Sequence, residues 1–120
     1  MNVGIVHETR NQEHRVALNP AGVLHLTNQN VIVYVQTNAG LDSGWTDEQY
    51  IQAGAHIVFS TEEVYGRSDV LMKISPLERD EIDLIREEQT IFSWQHLVVR
   101  HQDIIDALIE KNATVIGYEL

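Results

Sequence analysis

The 120-residue sequence contains no cysteine. A disulfide framework and a thiolate metal site are therefore excluded, and a reducing, cytoplasmic setting is expected. Positive charge is scarce: eight Lys and Arg stand against eighteen Asp and Glu, a formal net charge of -10. A nucleic-acid backbone would meet a repulsive average field, so nucleic acid is not an expected partner. No apolar run approaches the ~18 residues of a membrane-spanning helix. Met1-Asn2-Val3-Gly4 lacks the basic-then-apolar pattern of a secretory signal. Repeats, low-complexity tracts and Gly/Ser linkers are missing too. What remains is a single domain over residues 1–120, long enough to bury a core without staples.

The chemistry is concentrated in one stretch, from His7-Glu8 through Glu13-His14-Arg15 to Asn19-Pro20. It follows the apolar run Val3–Val6 and precedes a helix start. Connections between a strand and a helix usually take about 2–6 residues, so a longer, charged one marks a candidate ligand loop.

Six apolar runs of strand length punctuate the chain: Val3–Val6, Val31–Val35, Ala55–Phe59, Val70–Ile74, Thr90–Trp94 and Thr114–Tyr118. They are rich in Val and Ile and mostly continuous, as in strands buried on both faces of a parallel sheet. Helix signals alternate with them. Asn19 caps and Pro20 opens a helix. Thr46 to Gln49 forms a capping box, with Gly54 as the stop. Ser60 to Glu63 and Ser75 to Glu78 read as two further boxes. Ile104, Ile105, Leu108 and Ile109 form the apolar stripe of a last helix. The pattern predicts an α/β fold: a doubly wound, mainly parallel sheet of about six strands with helices on both faces, Rossmann-like or flavodoxin-like.

In such a sheet ligands bind outside the carboxyl ends of the strands. The runs deliver His7, Glu8 and the Arg15 loop there, then Lys73, then Gln95-His96, then Tyr118-Glu119. An arginine fork grips a carboxylate, a lysine polarises a carbonyl, and a histidine moves a proton near neutrality. Arg15, Lys73 and His96 together suit a small 2-oxo or 2-amino acid. Blander roles stand beside these. Arg15 can pair with Glu8 or Glu13, Lys73 can be a solvated strand-end lysine, and His96 can be a satisfied structural histidine. Trp45 and Trp94 read as packing groups. Six histidines are present, but none has a zinc-ligand spacing such as HExxH, so no metal is expected. A phosphoacceptor receiver domain would need an aspartate ending the third strand. Phe59-Ser60 stands there instead.

The opening Val3-Gly4-Ile5-Val6-His7-Glu8, with Asn11-Gln12-Glu13-His14-Arg15-Val16-Ala17-Leu18-Asn19-Pro20-Ala21-Gly22-Val23, resembles the alanine dehydrogenase and pyridine-nucleotide transhydrogenase family. The likeness continues through Ala39 to Tyr50, Ala53 to Ala55, Phe92 to Leu97 and Val115 to Glu119, essentially the whole chain. The resemblance implies the substrate-binding N-terminal domain of an NAD-dependent amino-acid dehydrogenase, interconverting L-alanine and pyruvate or a related 2-oxo acid. It makes Arg15 the substrate-carboxylate clamp and His96 the group acting on the carbonyl or amino centre. Family members usually carry lysine at the position of His7. They also usually have Lys-Val-Lys-Glu-Pro after the fourth strand, with the second lysine catalytic. Here the run is Lys73-Ile74-Ser75-Pro76, shorter and with one lysine. The related saccharopine dehydrogenases resemble Lys-x-x-Pro at this point, which favours Lys73 as the catalytic equivalent.

Family subunits hold NAD on a second domain bearing G-x-G-x-x-G, and the glycines of this chain do not form that motif. NAD is therefore expected on a domain absent from this chain, which by itself should be inactive. The expected partners are a small 2-oxo or 2-amino acid, that nucleotide domain, and further copies in a homo-oligomer. The alternatives are the half-domain of a proton-translocating NAD(P) transhydrogenase alpha subunit, which needs no substrate acid or base, and a non-catalytic small-acid-binding module.

Overall fold

The computed structural model describes residues 1–9, 12–93 and 102–117. Six strands alternate with helices: β1 (Asn2–Ile5), α1 (Pro20–Thr27), β2 (Ile32–Gln36), α2 (Asp47–Gln52), β3 (His56–Val58), α3 (Thr61–Arg67), β4 (Val70–Met72), α4 (Arg79–Ile82), β5 (Thr90–Ser93), α5 (Gln102–Glu110) and β6 (Thr114–Gly117). The strands form one sheet in the order β3-β2-β1-β4-β5-β6, and every neighbouring pair is parallel. This is the doubly wound α/β architecture that continuous apolar runs separated by capped helices dictate.

Because successive strand residues face opposite ways, the sheet divides the core in two. Ile5, Val33 and Val35 join Val23, Tyr50 and Ala53 from the α1 and α2 region. Val6, Leu71 and Ile91 join Val64, Tyr65, Leu77, Ile82 and Leu108 from the α3, α4 and α5 region. Gly4 lets α3 approach β1 closely: a Cβ there would sit 2.9 Å from Val64 Cγ1 and would collide with Ser68 Oγ.

Most caps form as their residue types require. Asn19 Oδ1 accepts the Gly22 N–H at 2.9 Å, and Thr46 with Gln49 completes a reciprocal box. Gly54 ends the α2 segment with φ at 98°, in the left-handed region that favours glycine. Three details differ from the sequence expectation. At Ser60 the hydroxyl accepts the Glu63 N–H, but the Glu63 carboxylate takes the N–H of Phe59, one residue before the cap, rather than that of Ser60. The box expected at Ser75 to Glu78 lies instead at Glu78 with Glu81, opening α4. The Ser75 N–H is already taken by the Glu8 carboxylate, and a residue preceding proline is biased away from helical angles. On α5, Leu108 is buried, while Ile109 is 71% exposed and outside the stripe.

Candidate active site

The chain runs outward from β1 through β2 to β3, then returns to place β4 on the other side of β1. The loops leaving β1 and β4 diverge there, and that reversal opens a crevice at the carboxyl ends of the two strands. Among the described residues, 6–9 and 12–19 follow β1 and 73–78 follow β4.

On the β1 side, Arg15, Val16, Ala17, Leu18 and Asn19 line an open cleft of about 420 Å³. Trp45 and Ser43 close one flank, and Ile74 from the β4 side closes another. The loop is tied down at several points. Tyr50 donates its hydroxyl to the Leu18 carbonyl at 2.8 Å, and Ser43 donates to the His14 carbonyl at 2.7 Å. Arg15 is exposed, and its fork grips the Glu13 carboxylate through Nε at 2.9 Å and Nη2 at 3.0 Å. The pairing lowers the pKa of Glu13, chiefly through the Arg15 hydrogen bond. Of the two ion pairs open to Arg15 from sequence, the structure forms the one with Glu13. The pair engages two nitrogens of the guanidinium, one on each Glu13 oxygen.

On the β4 side the arrangement is buried. Lys73, 3% exposed, donates to Glu81 Oε1 at 3.0 Å and to the Pro76 carbonyl at 3.4 Å, and lies 3.9 Å from Glu8 Oε1. It is thus not the solvated strand-end lysine that its position allows. Glu81 also accepts the Glu78 N–H at 3.0 Å, and its Oε2 accepts the Tyr65 hydroxyl at 3.0 Å. Glu8 accepts two backbone donors, Ile74 N–H at 2.9 Å and Ser75 N–H at 3.1 Å. Burial raises the pKa of Glu8, and the opposing pull of Lys73 and the two N–H groups does not fully offset it. Ser75 Oγ, also buried, has no hydrogen-bond partner among the described residues.

Arg15 lines the open cleft, whereas Lys73 is buried beneath the β4 loop and only its neighbour Ile74 is part of the cleft wall. His96, Trp94, Tyr118 and Glu119 lie outside the described residues. Trp45 is half-buried and packs against the α1 and α2 side of the core. Nothing in sequence singles out Glu81 or Tyr65, and Glu8 is legible there as a charged group at the carboxyl end of the first strand and as an ion-pair candidate for Arg15, not as a partner of Lys73. Glu81 had the signal of an acid in a first helical turn, but nothing in sequence places that turn against Lys73.

Comparisons with known proteins agree with this fold. A model of the alanine dehydrogenase/PNT N-terminal domain matches residues 4–120. Alanine dehydrogenase from Methanococcus maripaludis is 37% identical over 119 residues, and that from Mycobacterium tuberculosis 38%. Each alignment covers 99% of this chain and 32% of the relative, so the chain spans about a third of their length. A solved L-alanine dehydrogenase superposes with a TM-score of 0.94 at 33% identity, over 99% of this chain and 32% of that one. The transhydrogenase from Sinorhizobium meliloti superposes at 0.89 with 25% identity, over 98% of this chain and 33% of that one. A fold, a switch-point cleft and a match over residues 4–120 converge: the chain belongs to the alanine dehydrogenase/PNT family, as its N-terminal domain.

Proposed function

We propose that this chain is the substrate-binding domain of an NAD-dependent amino-acid dehydrogenase that interconverts L-alanine, or a related 2-amino acid, with its 2-oxo acid. The observation that supports it most directly is the cleft at the β1–β4 reversal, with Arg15 in one wall and Ile74 in the other. Arg15 exchanges the Glu13 carboxylate for that of the substrate and fixes its orientation. Lys73 supplies positive charge at the end of β4 and polarises the carbonyl. To touch that oxygen its ammonium must leave Glu81. His96 takes the proton released as the amino acid is oxidised. Oxidation removes a hydride from the 2-carbon and a proton from the amino nitrogen, and water then displaces ammonia from the imino acid to leave the 2-oxo acid.

The described residues do not form a pyrophosphate cradle. The loop after β1 carries Glu8 and Glu13 in place of a glycine-rich turn, and the N–H of Gly22 in the first turn of α1 is taken by Asn19. NAD, as hydride acceptor, is accordingly assigned to another domain of the complete enzyme. A cytoplasmic homo-oligomer is the expected setting. Among the described residues, no helix is long and apolar enough to cross a membrane.

One observation favours a second reading. Both cations already hold carboxylates of this chain, Arg15 with Glu13 and Lys73 with Glu81. A transhydrogenase half-domain or a non-catalytic module would need no more than that. Alanine-dependent NAD reduction by the complete protein separates the readings. The dehydrogenase reading requires Arg15→Ala to raise KM for alanine and lower kcat. Wild-type kinetics in Arg15→Ala would overturn it.

A further inference from the structure

Among the described residues, the ladder between β4 and β5 ends where the Lys73 N–H meets the Phe92 carbonyl at 2.9 Å. Beyond it the chain has two N–H groups in succession, on Ile74 and Ser75, and then Pro76, which has none. Buried N–H groups without acceptors are costly. Here both are answered by one side chain from the loop that leaves the neighbouring strand β1: Glu8 Oε2 takes Ile74 at 2.9 Å and Glu8 Oε1 takes Ser75 at 3.1 Å. The Glu8 side chain is only 2% exposed. A carboxylate there continues the work of the sheet for two more residues, and it fixes Ile74, part of the Arg15 cleft wall.

We infer that Glu8 is a positioning residue for this cleft: by clamping the Ile74 and Ser75 amides it sets where the β4-side wall stands relative to Arg15. The inference rests on the reading of the cleft as a carboxylate site. Three features argue for a device beyond ordinary burial. The acceptor is a charged group, whose desolvation is expensive and which a backbone carbonyl could have replaced. Both of its oxygens are used, so its geometry is fixed in two places. It also faces the Lys73 ammonium at 3.9 Å, so that cation, the loop and the cleft wall are held by one side chain. Other charged groups near Glu8 are Glu81, on the α4 side, and Arg15, on its own loop.

Glu8→Gln tests this with little change in shape. An amide presents one oxygen and one NH2 group, so one of the two N–H donors would face another donor, and the charge opposite Lys73 is lost. Two readouts are taken on the 120-residue chain. The first is hydrogen exchange at the Ile74 and Ser75 amides, with Val33 and Leu71 as core reporters. The second is a pyruvate titration followed at the Arg15 Nε–H and the Ile74 amide. The expected result is exchange at Ile74 and Ser75 at least about tenfold faster, with the core reporters unchanged, and a pyruvate Kd raised about tenfold. Arg15→Ala should abolish the pyruvate response and leave exchange as it was. Wild-type exchange at both amides in Glu8→Gln overturns the inference, and so does faster exchange with unchanged pyruvate affinity. If the unaltered chain shows no pyruvate response at Arg15, the carboxylate-site reading itself fails, and the inference with it. Should Glu8→Gln not fold, Glu8→Asp is read by the same criteria, since it keeps the charge but withdraws it from the two amides.

Discussion

Replacing Lys73 by methionine removes the one cation among three buried polar side chains. Side-chain exposure is 3% for Lys73, 2% for Glu8 and 10% for Glu81, so water cannot take over as partner. Truncating one member of a buried, hydrogen-bonded ion pair typically costs about 3–5 kcal/mol, because the remaining charge stays buried. Here two carboxylates are left, though each keeps other donors: Glu8 the amides of Ile74 and Ser75, Glu81 the Glu78 amide and the Tyr65 hydroxyl. Against a total stability of about 5–15 kcal/mol, such a loss is severe. With a urea m-value of about 1–3 kcal/mol/M, the unfolding midpoint should fall by roughly 2 M. The loss should also depend on pH. The pKa of Glu8 is already raised by burial, and Lys73 is the largest influence lowering it, so Lys73→Met pushes it higher still. A carboxyl whose folded pKa exceeds its unfolded value contributes stability below the unfolded value, and that stability is lost as pH rises through the folded one. The deficit of the variant should thus be small near pH 4.5, the ordinary glutamate value, and open as pH rises above it. Adding Glu81→Gln should recover about 1–3 kcal/mol, a coupling that a double-mutant cycle isolates. Urea unfolding by circular dichroism across that pH range decides the matter. A loss below about 1 kcal/mol, or one that does not change with pH, would refute the buried-network account. It would leave Lys73 free for contact with substrate.

Arg15→Lys should retain folding but bind pyruvate far more weakly than the parent chain, since an ammonium cannot reproduce the two-pronged grip seen on Glu13; a titration with full affinity would count against the clamp. Gly4→Ala should destabilise by about 1–3 kcal/mol in chemical denaturation, because the added methyl meets Val64 and Ser68 where α3 lies on β1. Tyr50, whose pKa is pushed up to about 12 mainly by burial, favours the fold while neutral; the parent should lose that stability as pH rises from about 10 through 12, and Tyr50→Phe should flatten that alkaline dependence in a melting-temperature series.

The sequence determined the architecture because the signals for it are local. Runs such as Val31 to Val35 are apolar on both faces and too short for helices. Asn19-Pro20 and Thr46 with Gln49 punctuate the chain through hydrogen bonds spanning only a few residues. Strand order is a tertiary outcome, since right-handed crossovers allow both Rossmann-like and flavodoxin-like orders; the observed reversal beside β1 places the β1 and β4 loops together. The sequence could name Arg15 and Lys73 by residue type and strand-end position. It could not tell how either charge is compensated. Glu13 is near Arg15 in sequence and was readable as a partner. Glu8 and Glu81 reach Lys73 from a different strand and a different helix, and only the assembled sheet brings them within 3.9 and 3.0 Å. The same holds for Ser75, which reads as a helix cap until the Glu8 carboxylate captures its N–H. Long-range compensation of buried charge is decided by tertiary geometry, because a desolvated group must find its partner wherever the fold places one.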